Sequence, residues 1–216
     1  MRPHLASLLR RRPELAHCGS DIDSAAALLE TVFAAGGTLL VCGNGGSAAD
    51  AEHVVGELMK GFAHPRPLDR ATRDALTGVD PVLGAQLADG LQGALPAIAL
   101  VSQAALLSAI ANDTDARWTY AQQVLGYGRP GDALLALSTS GTAANVDAAV
   151  VVARARGLHT LALTGADGGS IASRCEVAVR VPERETALVQ ELHQSVYHAL
   201  CLSLEERFFG AARSDT

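Results

Sequence analysis

Five short runs rich in apolar residues, at 38–42, 97–101, 133–137, 159–163 and 176–181, are separated by longer stretches in which apolar positions return at helical spacing. Runs of this length, bounded by turn signals such as Gly36-Gly37 ahead of the first, read as strands buried on both faces. Residues 21–35 before the first run and 183–209 after the last read as helices. Strand and helix in alternation predict an α/β protein, a three-layer αβα sandwich around a doubly wound parallel sheet. Ligands of such sheets sit at the carboxyl ends of the strands.

One segment breaks the rhythm. Residues 64–95 scatter Pro65, Pro67, Pro81, Gly78, Gly84, Gly90 and Gly93 among short apolar pieces, which predicts a surface excursion with one short helix. The 216 residues, 49% hydrophobic and 19% charged, are expected to form one domain over 1–216 with an N-terminal helical segment at about 1–36. A net charge of −6 with scattered arginines argues against a nucleic-acid partner. No window offers about 18 uninterrupted apolar residues, so no membrane partner is expected. Cys18, Cys42, Cys175 and Cys201 lack C-x-x-C spacing and read as reduced thiols. Residues 1–16, broken by Pro3 and Pro13, lack the apolar centre of a signal peptide, so a cytoplasmic setting is expected.

Candidate chemistry begins at Cys42-Gly43-Asn44-Gly45-Gly46-Ser47, a glycine-rich turn between the first strand and the helix 48–59, for which Ser47 is the expected N-cap. Such a turn lets backbone N–H groups and the positive end of a helix approach a phosphate. Gly43, Gly45 and Ala48 satisfy the dinucleotide pattern, but the second strand ending in an acidic residue that the pattern requires is missing. The P-loop pattern is absent too, and Lys60 is the only lysine. A second loop, Ser138-Thr139-Ser140-Gly141-Thr142, leads into the helix 143–155 and offers hydroxyl donors at another helix start. Either loop alone is explained by an ordinary turn; two after two buried strands point to an anion.

His53 and Glu57 lie four apart, so a helix puts them on one face, where they can bind a metal, share proton transfers, or form a plain surface ion pair. The last helix carries Gln190, Glu191, His193, Gln194 and His198, and spacing alone does not choose among Gln190, Glu191 and Gln194 as partner of His198. Asn112-Asp113, after the helix-like 104–111, is a turn or a contact to a substrate hydroxyl.

In order along residues 21–209, Gly43-Asn44-Gly45-Gly46-Ser47, His53, Glu57, Asn112-Asp113, Ser138-Thr139-Ser140-Gly141 and Gln190 to His198 resemble the sugar isomerase (SIS) domain family in its phosphoheptose isomerase branch. The resemblance implies a flavodoxin-like SIS fold and aldose–ketose isomerisation of sedoheptulose 7-phosphate to D-glycero-D-manno-heptose 7-phosphate through an enediol, for nucleotide-heptose synthesis. It implies zinc held by His53, Glu57, Gln190 and His198, with Glu57 as base and His198 as acid or shuttle. It also implies substrate binding by Asn44, Gly45, Gly46, Ser47, Asp113, Ser138, Thr139, Ser140, Glu57 and Gln190, in a homotetramer with shared active sites. Competing implications are a non-catalytic tetrameric SIS adaptor that binds a replication initiator or another protein, and an SIS enzyme or sensor for a different phosphosugar. Three departures bear on the substrate: Ala143 where a further serine is common, Ala187 where an acid is common, and a longer excursion over 64–95.

Overall fold

The computed structural model describes residues 2–210. Its strands are β1 (Leu39–Gly43), β2 (Ala97–Ala99), β3 (Ala133–Ser138), β4 (His159–Thr164) and β5 (Val177–Arg180). All pair in parallel in the order β2-β1-β3-β4-β5, with Leu39 opposite Ala133 and Gly43 opposite Leu137. The chain reverses its direction of travel across the sheet after β2, so the carboxyl ends of β1 and β3 lie side by side. That is where the two hydroxyl- and glycine-rich loops leave the sheet.

Both faces of the sheet are covered, as the continuous apolar runs require. Leu39 and Val41 point into a core shared with α2 (Gly19–Ala34), while Leu40 and Cys42 point to the opposite core with Tyr120, Val124 and Val146. Each buried Leu or Val side chain contributes about 1.5–3 kcal/mol over its exposed state. The first core is closed by α1 (Pro3–Arg11), α3 (Gly46–Met59) and the long α10 (Thr186–Phe209), whose Val189, Leu192, Val196, Leu200 and Leu204 are buried. The second is closed by α7 (Thr119–Tyr127) and α8 (Ala144–Ala155). Among the described residues no helix is long and apolar enough to cross a membrane.

Three local expectations are corrected. The segment 64–95 folds into two helices, α4 (Arg70–Val79) and α5 (Leu83–Gly90), because Asp69 caps the first through Thr72 N and Asp80 accepts from Val82 N and Leu83 N ahead of the second. β2 ends at Ala99, where the chain turns before α6 (Ala104–Ile110). The N-cap of α3 is Gly45 and not Ser47: at φ 57° it bends the chain early, a conformation open to glycine, and leaves Ser47 in the first turn. The cysteines are free thiols, Cys18, Cys42 and Cys201 buried and Cys175 half-buried.

Candidate active site

The starts of α3 and α8 open onto one cavity lined by Asn44, Gly45, Gly46, Ser47, Ser138 and Thr139, with Ser140, Ala143 and Gln190 completing its wall. Neither helix start receives a hydrogen bond from its own N-cap side chain. Two positive helix ends and serine and threonine hydroxyls then converge on one space, the composition of an anion site. Asn44 is already engaged: its carboxamide exchanges hydrogen bonds with that of Asn145 at 2.8 and 2.9 Å, and Tyr120 donates to its Oδ1 at 3.2 Å. That pairing ties the first loop to α8.

A second hollow adjoins the first, lined by Gly46, Asp50, His53, Gln190, Glu191, Gln194 and Tyr197. Of the three polar residues left open as partners of His198, Gln190 alone lines both spaces. It is also packed against Gly46, where an added Cβ would stand 2.5 Å from Gln190 Nε2. The clash falls on the tip of a flexible side chain, so the Gly46→Ala variant is expected to fold normally but to push Gln190 aside and lower kcat/KM about tenfold or more. Unchanged kinetics in that variant would remove Gln190 from the site.

Beyond Gln190 the helices α3 and α10 bring together the acid/base candidates. His53 Nε2 lies 3.0 Å from Glu57 Oε1 and 3.4 Å from His198 Nε2. Burial, followed by the neighbouring His53, holds His198 below the ordinary histidine range, with Glu57 pulling the other way. Its ring is therefore mostly neutral at physiological pH. His193 is fully buried, and burial pushes its ring down to about 4, so it too is neutral.

Two further features were not visible in the chain pattern. Tyr197 Oη lies 3.0 Å from Asp50 Oδ1 and 3.0 Å from His53 Nδ1, joining α10 to α3 behind the histidine. At the far end of α3, the guanidinium of Arg66 donates to the carbonyls of Leu58 at 2.7 Å and Glu57 at 2.9 Å, and through Nε to Glu205 Oε1 at 2.8 Å. Both side chains of that ion pair are fully buried. Glu205 also accepts from Phe62 N and Ala63 N, each at 2.8 Å, and Arg66 lies over the Phe209 ring. Adjacent-in-sequence signals for these residues were weak: Tyr197 precedes His198, and Asp50 lies one turn before His53.

The donors suit a small cation that prefers nitrogen and oxygen. Glu57 Oε2 is buried without a hydrogen-bond partner, the nearest cation being Lys60 Nζ at 3.9 Å. Donors around a tetrahedral zinc stand about 3.3 Å apart, close to the 3.0 and 3.4 Å separations here. Among the described residues, however, no three His, Cys, Asp or Glu side chains already form a finished metal cage. The fit is one of donor chemistry and spacing, with the amide of Gln190 as the available fourth donor.

Of the residues expected from the sequence, the structure gathers Asn44, Gly45, Gly46, Ser47, Ser138, Thr139 and Ser140 around the first space and His53, Glu57, Gln190 and His198 beside it. Asp113 is the exception: exposed, accepting from Asn112 Nδ2 at 2.8 Å in an irregular helical turn, it lines neither space. Ala143 lines the first space and Ala187 the second, so two of the three departures fall on the site itself.

Comparison with known proteins returns one family. The SIS domain model matches residues 7–79 and 85–165. A phosphoheptose isomerase of Rhodospirillum rubrum is 36% identical over 192 residues, covering 89% of this chain and 88% of the relative. One of Trichlorobacter lovleyi is 37% identical over 210 residues, covering 97% and 92%. Among solved structures, the phosphoheptose isomerase of Neisseria gonorrhoeae superposes with a TM-score of 0.72 at 34% identity, covering 94% of this chain and 95% of its own.

Proposed function

The chain belongs to the SIS domain family, in its phosphoheptose isomerase branch, and on that footing we propose how it interconverts sedoheptulose 7-phosphate and a D-glycero-D-manno-heptose 7-phosphate for nucleotide-heptose synthesis. It is an aldose–ketose isomerase. The observation that supports the substrate reading is the junction at Gln190, which lines both the hydroxyl-rich anion space and the hollow containing His53. A sugar phosphate anchored in the first space extends its carbonyl end toward the second.

The phosphate is held by Ser47, Ser138, Thr139 and Ser140 at the positive ends of α3 and α8. None of these donors carries a formal charge, which favours release of the product. Glu57 Oε1 faces His53 Nε2 at 3.0 Å, whereas Oε2 has no hydrogen-bond partner, so Oε2 is the atom assigned to take the proton from the carbon beside the carbonyl. A cis-enediol results, and Glu57 returns the proton to the neighbouring carbon. His198 is the group assigned as acid or shuttle that moves the proton between the two substrate oxygens. Zinc held by His53, Glu57, Gln190 and His198 supplies, when bound, polarisation of those oxygens. Side chains buried between packed helices keep the reacting groups in register, which supplies much of the rate for a base as weak as a carboxylate.

Asp113, which lines neither space within one chain, is assigned to a sugar hydroxyl in the site of another copy, in a homotetramer whose sites are shared between subunits. The reading is tested by turnover of purified, zinc-replete protein on sedoheptulose 7-phosphate against six-carbon ketose phosphates. Preference for a six-carbon substrate would reassign it. Ser140→Ala is expected to raise KM about tenfold or more with kcat little changed, the loss of one hydrogen bond to a charged group. An unaltered KM would take Ser140 out of the phosphate site.

A further inference from the structure

Asp50 and Tyr197 carry an inference of their own, which rests on the metal reading above. The Tyr197 hydroxyl stands between two partners, Asp50 Oδ1 and His53 Nδ1, each at 3.0 Å. A phenol has one proton to give, and a carboxylate can only accept. The proton of Tyr197 is therefore committed to Asp50, and the other hydrogen bond exists only if His53 Nδ1 donates to the phenol oxygen. With its proton on Nδ1, the neutral ring presents a lone pair on Nε2. That lone pair faces Glu57 Oε1 at 3.0 Å and His198 Nε2 at 3.4 Å. A lone pair and a carboxylate oxygen 3.0 Å apart repel one another unless a positive charge lies between them.

We infer that the Asp50–Tyr197 pair is a positioning device that fixes the His53 proton on Nδ1 and so reserves Nε2 for the cation shared with Glu57 and His198. It is a histidine-orienting carboxylate acting through an interposed tyrosine, and loss of such outer partners costs about 10–100-fold in metal affinity. Tyr197 also lines the second hollow and packs edge-on against His198, but its hydroxyl bonds only to Asp50 and His53, so removal of the hydroxyl alone acts first on His53. The T-shaped packing of the Tyr197 and His53 rings, with centroids 5.5 Å apart, survives removal of the hydroxyl alone.

The test uses the full-length protein, labelled with 15N in histidine, metal-free and zinc-loaded, as wild type and Tyr197→Phe. In the wild type the His53 Nδ1–H signal is expected in both forms, protected from exchange with water. In Tyr197→Phe it is expected to broaden or vanish, while zinc dissociation, read by chelator competition, strengthens in proportion and the dissociation constant rises about 10–100-fold. Should Tyr197→Phe not fold, Asp50→Ala removes the acceptor of the phenol proton and is expected to change both readouts in the same direction. An unprotonated Nδ1 in the wild type overturns the inference, as does a folded Tyr197→Phe with unchanged zinc affinity. A wild type that binds no zinc would instead sink the metal reading, and the Nδ1 signal would still decide whether the relay exists.

Discussion

Replacing Glu57 by glutamine is expected to lower kcat about 10²–10⁴-fold while leaving the fold intact and KM within a few-fold, the span associated with removing a general base. Glutamine keeps the length and shape of the side chain and can still meet His53 Nε2, now 3.0 Å from Oε1. What it cannot do is take a proton at the position of Oε2, the atom that has no hydrogen-bond partner. The loss is therefore expected on the chemical step, not on binding, because the space proposed for the phosphate, lined by Ser47 and Ser138 to Ser140, is the adjoining one. Steady-state kinetics with metal content measured in the same samples checks this. A variant that turns over at near the wild-type rate would displace Glu57 from the mechanism, whatever its KM.

The largest expected effect on stability comes from Arg66→Ala. Arg66 and Glu205 have no solvent-exposed side-chain surface, and the arginine also satisfies the last carbonyls of α3 at Glu57 and Leu58. Truncation strands Glu205 as an unpaired buried charge, a situation that costs about 3–5 kcal/mol. The urea midpoint is expected to fall accordingly, and the double variant Arg66→Met/Glu205→Leu to recover only part of the loss, since it removes the stranded charge but leaves the Glu57 and Leu58 carbonyls and the Phe62 and Ala63 N–H groups without these partners. Burial pushes the Glu205 carboxyl up, but the N–H groups of Phe62 and Ala63 and the Arg66 guanidinium outweigh it and hold it below the usual carboxylate range. The sign follows: this stabilisation is present above the ordinary carboxylate pKa and is lost as pH falls through the lowered folded-state value. A midpoint in Arg66→Ala equal to that of the wild type would show the pair to be dispensable.

The strands were legible because a strand buried on both faces must be apolar throughout, and Ala133 to Leu137 offers no polar position that a helix surface would need. The excursion was read less well. Its prolines and glycines suggested loops, while the signals for two helices were the small ones at Asp69 and Asp80, each a carboxylate capping backbone N–H groups two or three residues on. The glycine loop and the serine loop declared themselves by composition, but the exact start of α3 did not, because a positive φ at Gly45 is a property of the folded turn. His53 and Glu57 could be paired from spacing alone, since one helix carries both. Spacing left Gln190 level with Glu191 and Gln194; the family resemblance pointed to it, and α10 laid against α3 sets its amide on Gly46. Asp50, Tyr197, Arg66 and Glu205 escaped for the same reason: each acts across two helices distant in sequence, and one-dimensional patterns do not hold that information.

The adaptor alternative gives way to catalysis, since the relatives that match this chain over most of its length are phosphoheptose isomerases. The measurement that tests this most directly is a mass-resolved assay of the zinc-replete protein on sedoheptulose 7-phosphate in deuterated water, wild type beside Glu57→Gln. The expected result is an aldoheptose phosphate carrying deuterium on the carbon that accepted the returned proton, formed by the wild type and nearly absent with the variant. A folded, metal-loaded wild type that produces no aldoheptose and exchanges no proton would contradict it.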